Sequence, residues 1–284
     1  MQATLPNDPW QAHFRTPEWL QALIAKGALG QKTKCGIYRK QGKQIQVLDL
    51  HLQGYRESGG EVLPEVEEIL KLRNPVEKFA QLAAHPHPQA QFLWSIFRDV
   101  FHYCAVHLGD IADNARDIDL AMRWGFGWAQ GPFETWQAAG WKAIADAVQT
   151  DIAAGKAMSS APLPAWVSSH DGVHSAEGSY SASANAFRPR SSLPVYQRQI
   201  FPERVLGEKA VEGVTAWENE GVRLWTLPQL DSEIAILSVK SKNHTLGRDV
   251  ILGVQEAIRR AEAEFKGVVF WHEAPFAFGA NLKE

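Results

Sequence analysis

The sequence predicts a multi-part protein: a mostly α-helical domain followed by an incomplete α/β unit. Three observations carry that reading. Residues 90–155 repeat apolar side chains at helical spacing, residues 157–200 are rich in serine and proline, and residues 222–271 alternate strand-like and helical segments. A length of 284 residues is that of one large domain or two small ones.

At the N-terminal end, Thr16-Pro17-Glu18 is a helix start, and Trp19, Leu20, Leu23 and Ile24 follow on one face. Gly27 and Gly30 end that helix, Lys32–Tyr38 forms a loop running into extended chain, and Ile45–Leu50 reads as a short strand. Glu65–Leu72 and Asn74–Ala84 read as two short helices, the second capped by Asn74-Pro75. His85-Pro86-His87-Pro88 breaks the chain; with no cysteine or carboxylate cluster beside them, the two histidines read as a solvated turn rather than metal ligands. Phe92, Ile96, Val100, Tyr103 and Val106 define a long helix, and Asp113–Met122 a second, whose Asp117 and Asp119 read as acids favoured early in a helix by its dipole. Pro132 starts a further helix that Gly140 ends, and Trp141–Thr150 follows.

Residues 157–200 show no periodicity and read as an extended connector. His170 and His174 bracket Asp171 there and read as structural or solvated; Ser168 and Ser169 lack a nucleophile-elbow pattern. Val222–Leu227 and Ile234–Val239 then read as a hairpin, Leu246–Phe265 as an amphipathic helix, Val268–Trp271 as a buried strand, and Phe276–Lys283 as a loop entering a helix.

Composition excludes several classes of function. Lys plus Arg is 29 against 32 Asp plus Glu, a net charge of −3, which gives no basis for a nucleic-acid partner. The mean hydropathy of −0.26 and the lack of a long apolar run speak against a membrane span. Two cysteines, Cys35 and Cys104, and an N-terminus without a leader pattern make the cytoplasm the expected compartment. Eleven tryptophans scattered from Trp10 to Trp271 read as core packing.

The run Ile111–Trp128, followed by Gly131-Pro132-Phe133-Glu134, resembles the C-terminal helical domain of bacterial 3-hydroxyacyl-CoA dehydrogenases, and in particular the second, duplicated repeat of bifunctional β-oxidation proteins. The fold this implies is the 6-phosphogluconate dehydrogenase C-terminal-like helical domain. Lys32–Tyr38 looks like the Lys-Thr-Gly-x-Gly-Phe-Tyr that ends the first repeat, with Lys34 in place of the first glycine and Ile37 in place of the phenylalanine. Ile234–Lys283 is similar to the start of an enoyl-CoA hydratase (crotonase) domain, with Asn281 where its Phe-x-x-Gly-Ala-Asp-Leu-Lys pattern has aspartate.

The resemblance implies five parts. They are the end of a first dehydrogenase repeat (1–56), a helical connector (57–90), the second helical domain (91–156), a Ser/Pro-rich linker (157–220) and the start of a crotonase domain (221–284). The family oxidises 3-hydroxyacyl-CoA with NAD and hydrates 2-enoyl-CoA. No Gly-x-Gly-x-x-Gly fingerprint occurs here, so no cofactor is expected on this chain alone, and no complete catalytic set can be carried over. The expectation is an internal segment of a fatty-acid β-oxidation enzyme, inactive by itself. The alternative is a non-catalytic scaffold subunit docking with separate dehydrogenase and hydratase partners. By resemblance, the Phe278 N–H would be one oxyanion donor, and Lys242, His244, Gly279 and Ala280 would contact CoA; Gln137 sits where such repeats often carry aspartate, and Glu284 is assigned no role. No metal site is expected.

Overall fold

The computed structural model describes residues 1–273 and 276–283. The chain divides into two compact units, Met1–Glu208 and Lys209–Glu284.

The first unit opens with α1 (Glu18–Ala25), closed by Gly27 at φ +68°, and a three-stranded antiparallel meander of β1 (Tyr38–Gln41), β2 (Gln44–Asp49) and β3 (Gly54–Glu57). The expected strand over Ile45–Leu50 is β2, the middle strand of this meander. Helices α2 (Pro64–Lys71) and α3 (Pro75–Ala84) follow, and the Asn74 side chain accepts the Val76 N–H at 3.0 Å to cap α3. His85 and His87 use their Nδ1 atoms to accept the backbone N–H groups of His87 and Gln89, so His87 is the N-cap of α4 (Pro88–Ile111).

With α2 and α3, four further helices build the core: α4, α5 (Ala115–Phe126, capped by Asn114), α6 (Pro132–Ala138) and α7 (Trp141–Ala153). Trp94, Phe101, Phe133, Trp136 and Trp141 are all buried in it, and the Trp136 and Trp141 rings stack at 4.2 Å. The tryptophans in this unit that are buried therefore fill volume, as their size favours. A buried polar bridge ties α4 to α7: Asp151 accepts from Trp94 Nε1 at 2.8 Å and from Arg98 at 3.1 Å, while Arg98 also pairs with Asp99 at 2.8 Å.

The serine-rich stretch departs from the expected loose connector. It forms α8 (Trp166–Ser169) and a three-stranded sheet of β4 (His174–Ser175), β5 (Gly178–Ser181) and β6 (Ala186–Arg188), then α9 (Pro194–Gln197). Tyr180 and Ser181 are fully buried and Val167 and Val173 join the core. Strands of two to four residues made of Ser and Gly carry no hydrophobic period, which is why sequence pattern misses them.

The second unit is a four-stranded sheet ordered β10-β9-β8-β7, from β7 (Val214–Glu218), β8 (Val222–Leu227), β9 (Asp231–Val239) and β10 (Gly267–Phe270), with α10 (Arg248–Glu264) packed on it. β7, β8 and β9 are antiparallel neighbours, and the α10 crossover makes β10 parallel to β9. The unit begins a strand earlier than expected, at β7. Among the described residues β10 is an edge strand with Val269 50% exposed, not the buried strand its apolar run suggested, and residues 276–283 form a loop bridged at Ala280.

Candidate functional site

Two constellations contain the residues singled out by sequence. The first lies where α5 meets α6. Gly131 has no side chain with which to cap α6, and Asp119 supplies the carboxylate from the neighbouring helix: Oδ1 accepts the Phe133 N–H at 2.8 Å and Oδ2 the Glu134 N–H at 3.0 Å. Any Cβ at residue 131 would lie 2.3–2.4 Å from Asp119 atoms, so only glycine fits. Pro132 needs no N–H partner at the first helical position. Glu134 reaches back to accept the Gly131 N–H at 2.9 Å, accepts from Leu206 N at 3.0 Å and pairs with Arg123 at 3.3 Å. Asp119 therefore departs from its reading as an early-helix acid: it is a buried anchor one helix away from the N–H groups it binds.

His174 completes this anchor. Its Nε2 lies 2.6 Å from Asp119 Oδ2 and its Nδ1 2.9 Å from Ser179 Oγ, with the Asp119 and His174 side chains fully buried. Burial pushes the Asp119 carboxyl above its ordinary value, and the His174 ring opposes that shift. Gln137 fastens the chain on the other side, accepting from Val173 N and His174 N at 2.8 and 2.9 Å and donating to His174 O at 2.9 Å. The order Ser–His–Asp is that of a hydrolase triad, but the ring is turned the other way, with Nδ1 toward the serine and Nε2 toward the aspartate. Ser179 is only 2% exposed, however, so a carbonyl carbon has no approach to its Oγ. It sits at the wall of a cavity of about 500 Å³ whose lining includes the Arg116–Glu208 ion pair. The arrangement positions β4 and β5 against α5 and α6. His170 does not join it; its ring packs on Tyr180 at 4.6 Å and Phe187 at 5.6 Å. Asp171 pairs instead with Lys142 at 2.6 Å.

The second constellation is in the α/β unit. Lys242 and His244 share one short turn after β9, with Asn243 and His244 both at positive φ (55° and 51°). Backbone bonds join this turn to the segment carrying the other expected contacts: Leu246 N donates to Gly279 O at 2.8 Å and Asn281 N to Leu246 O at 3.0 Å, making a parallel bridge between Leu246 and Ala280. Gly279 adopts φ +89°, which glycine allows without strain. Gly279 and Ala280, more than thirty residues further on in sequence, thus form a backbone seam with Leu246, just after the turn that carries Lys242 and His244. Phe278 is 67% exposed beside it, and the His244 ring lies 3.9 Å from His272. Burial, helped by His244, pushes the His272 pKa down. Glu284 lies outside the described residues.

Among the described residues, no group of three metal-ligating side chains comes together. Sequence reasoning missed the Asp119–His174–Ser179 chain and the Arg98–Asp151 bridge, since nothing in local spacing links residues 55 positions apart. Asp119, a carboxylate between Ile118 and Leu120, was the one available signal.

A helical unit followed by a βαβ-containing unit is the class this architecture defines. No family model matches the chain, and no solved structure matches it. Among curated proteins, the chain is similar to a probable 3-hydroxyacyl-CoA dehydrogenase of Bacillus subtilis, 29% identical over 273 residues, covering 95% of this chain and 33% of that protein. It is also similar to a Rickettsia felis protein named as a fatty acid oxidation complex trifunctional enzyme, 23% identical over 292 residues, covering 99% of this chain and 34% of that protein. The chain spans about a third of the length of these relatives. Both names support a relation to the 3-hydroxyacyl-CoA dehydrogenases of fatty-acid oxidation.

Proposed function

We propose that this chain forms an architectural part of a fatty-acid β-oxidation protein of the 3-hydroxyacyl-CoA dehydrogenase type. It would supply a helical repeat and the opening of an enoyl-CoA hydratase-type unit, while redox chemistry resides elsewhere in a longer protein. The observation that carries this reading is the likeness along 95% of the chain to a dehydrogenase about three times as long. The buried Asp119–Glu134 anchor agrees with it, because the residues of the resemblance are consumed in holding helices together.

NAD does not fit the described residues. The β9–α10–β10 crossover is the kind of element that holds a pyrophosphate at a helix N-terminus. Its turn, from Lys240 to Gly247, has one glycine rather than three, and Leu246 is already tied to Gly279 and Asn281. No hydride-transfer step is therefore assigned to this chain. We assign Lys242 and the Leu246–Ala280 seam to CoA contact, with Lys242 as a point charge for phosphate.

The test is turnover. The purified chain should neither oxidise NADH with acetoacetyl-CoA nor hydrate crotonyl-CoA, whereas a longer protein containing it should do so. Turnover retained by the homogeneous chain alone would overturn the reading. A scaffold role is the second reading, favoured by the exposed β10 edge, which offers a strand-pairing surface. Co-purification of a stoichiometric partner would select it.

A further inference from the structure

The cavity of about 500 Å³ beside α5 lies within the first unit, and its volume falls in the range of roughly 300–1,000 Å³ typical of small-molecule sites. Arg116, Arg188 and Arg190 line it. So do four carboxylates, Asp113, Asp117, Glu203 and Glu208, one more than the arginines. Part of this charge is matched within the protein: Glu208 pairs with Arg116, and Glu203 takes Arg123 and the Trp124 Nε1–H. The remaining groups have no charged mate. Among the described residues Arg188 makes no side-chain hydrogen bond or ion pair, and Arg190 donates only to the neutral amide oxygen of Gln199. Neither Asp113 nor Asp117 has an ion-pair partner among the described residues. Burial and the neighbouring Arg116 push the Arg190 guanidinium below its ordinary value. Withdrawal from water pushes the Asp117 carboxyl up, and the charge of Asp113 adds to that. Cations short of an anion and carboxylates short of a cation thus line one cavity without pairing with each other. Leu120, Leu193 and Tyr196 supply apolar wall, and residues 191–200 are exposed along their whole length, so a ligand reaches the cavity from solvent.

We propose that this cavity binds a small zwitterion, an amino acid or short peptide, whose carboxylate meets Arg188 and Arg190 and whose ammonium meets Asp113 and Asp117. Arginine suits a carboxylate because two of its N–H groups can donate side by side. A polyanion such as CoA or a dinucleotide is disfavoured, because the lining carries more acid than base. A simple anion leaves the two aspartates unmatched, and a simple cation leaves the two arginines unmatched. The apolar wall favours an apolar side chain on the ligand. Such binding is independent of the dehydrogenase reading: turnover tests the one and titration the other, and failure of either leaves the other standing.

Calorimetric titration of the full chain with L-phenylalanine tests the proposal. Acetylation removes the ammonium and amidation the carboxylate, so N-acetylphenylalanine and phenylalaninamide should each bind at least about tenfold more weakly, the worth of one hydrogen-bonded charge. Glycine, which lacks the ring, should also lose at least about tenfold. Phenylalanyl-leucine carries the same two charges further apart, and whichever of the two zwitterions binds tighter fixes the length of the ligand. Arg188→Gln and Asp117→Asn alter exposed side chains outside the α5–α6 anchor, so circular dichroism should be unchanged. Arg188→Gln should narrow the preference for phenylalanine over its amide and leave the preference over its acetyl form; Asp117→Asn should do the reverse. No binding of either zwitterion at millimolar concentration, affinity unchanged by acetylation or amidation, glycine binding as tightly as phenylalanine, tighter binding of CoA, or binding untouched by both variants would each overturn it.

Discussion

Replacing Asp119 with alanine should unfasten the α5–α6 corner, and the cost can be worked from its contacts. The carboxylate accepts two backbone N–H groups of the first turn of α6 and the His174 ring, at 2.8, 3.0 and 2.6 Å. Losing a helix cap costs about 1 kcal/mol. Removing one partner of a buried, hydrogen-bonded pair costs about 3–5 kcal/mol, because the other is stranded away from water. Relief of the carboxylate's own burial, which already pushes its pKa up, offsets part of this. A net loss of about 3–5 kcal/mol is expected, against a total of about 5–15 kcal/mol for a folded domain. With a urea slope of at most about 3 kcal/mol per molar, the midpoint should fall by at least about 1 M. Helix content followed by circular dichroism reads the loss, and hydrogen exchange over residues 131–139 localises it. His174→Ala should cost less in the Asp119→Ala background than in the wild type, since the two share one contact. Additive costs, or a loss below about 1 kcal/mol for Asp119→Ala, would refute the anchor.

His102 gives a pH prediction: it is buried on α4, its Nε2 lies 2.8 Å from Ala161 O, and burial holds its pKa below the ordinary 6.5. Below pH 6.5 the unfolded chain therefore binds more protons than the folded one. Stability should fall as pH drops through that value, by up to about 1.4 kcal/mol per pH unit, until the folded ring protonates. His102→Gln keeps a donor toward Ala161 and should flatten the slope in urea titrations between pH 7 and 5; an unchanged slope would sink the argument. Lys34 holds a left-handed backbone at φ +62°. Lys34→Gly should stabilise by about 0.5–1 kcal/mol after its own entropy cost, and a lower thermal midpoint would show that the Lys34 side chain contributes more than its backbone strain takes away.

Helix positions were legible because their starts are written in the first turn: Asn74 caps one helix, and the prolines at 75 and 132 sit where no N–H partner is needed. The β8–β9 hairpin and α10 were legible by period. What failed shares one cause. A strand such as β5 is buried although half of it is serine, so its burial rests on a polar chain, Ser179 on His174 and His174 on Asp119, 55 residues away. The opposite failure occurs in β10 and α1, where apolar residues expected in a core are found exposed: Val269 at 50% and Ile24 at 53%. Apolar pattern reports what a segment can bury, and not what is present to cover it. Of the expected CoA contacts, the residue types were readable from resemblance, but the backbone bridge that brings residue 246 to residue 280 was not.

Gly-Pro-Phe-Glu illustrates how a motif can be specific without being catalytic. Each of its four positions has a separate steric or hydrogen-bonding demand: no Cβ at 131, no N–H at 132, a core ring and a donated N–H at 133, and a carboxylate that turns back on Gly131 and on Leu206 at 134. Those demands are met inside the helical unit, with Phe133 and Glu134 almost wholly buried, so no group of the motif remains to touch a substrate. The likeness to longer dehydrogenases is thus carried here by packing chemistry. That is the physical reason to look for proton and hydride transfer in other parts of such a protein.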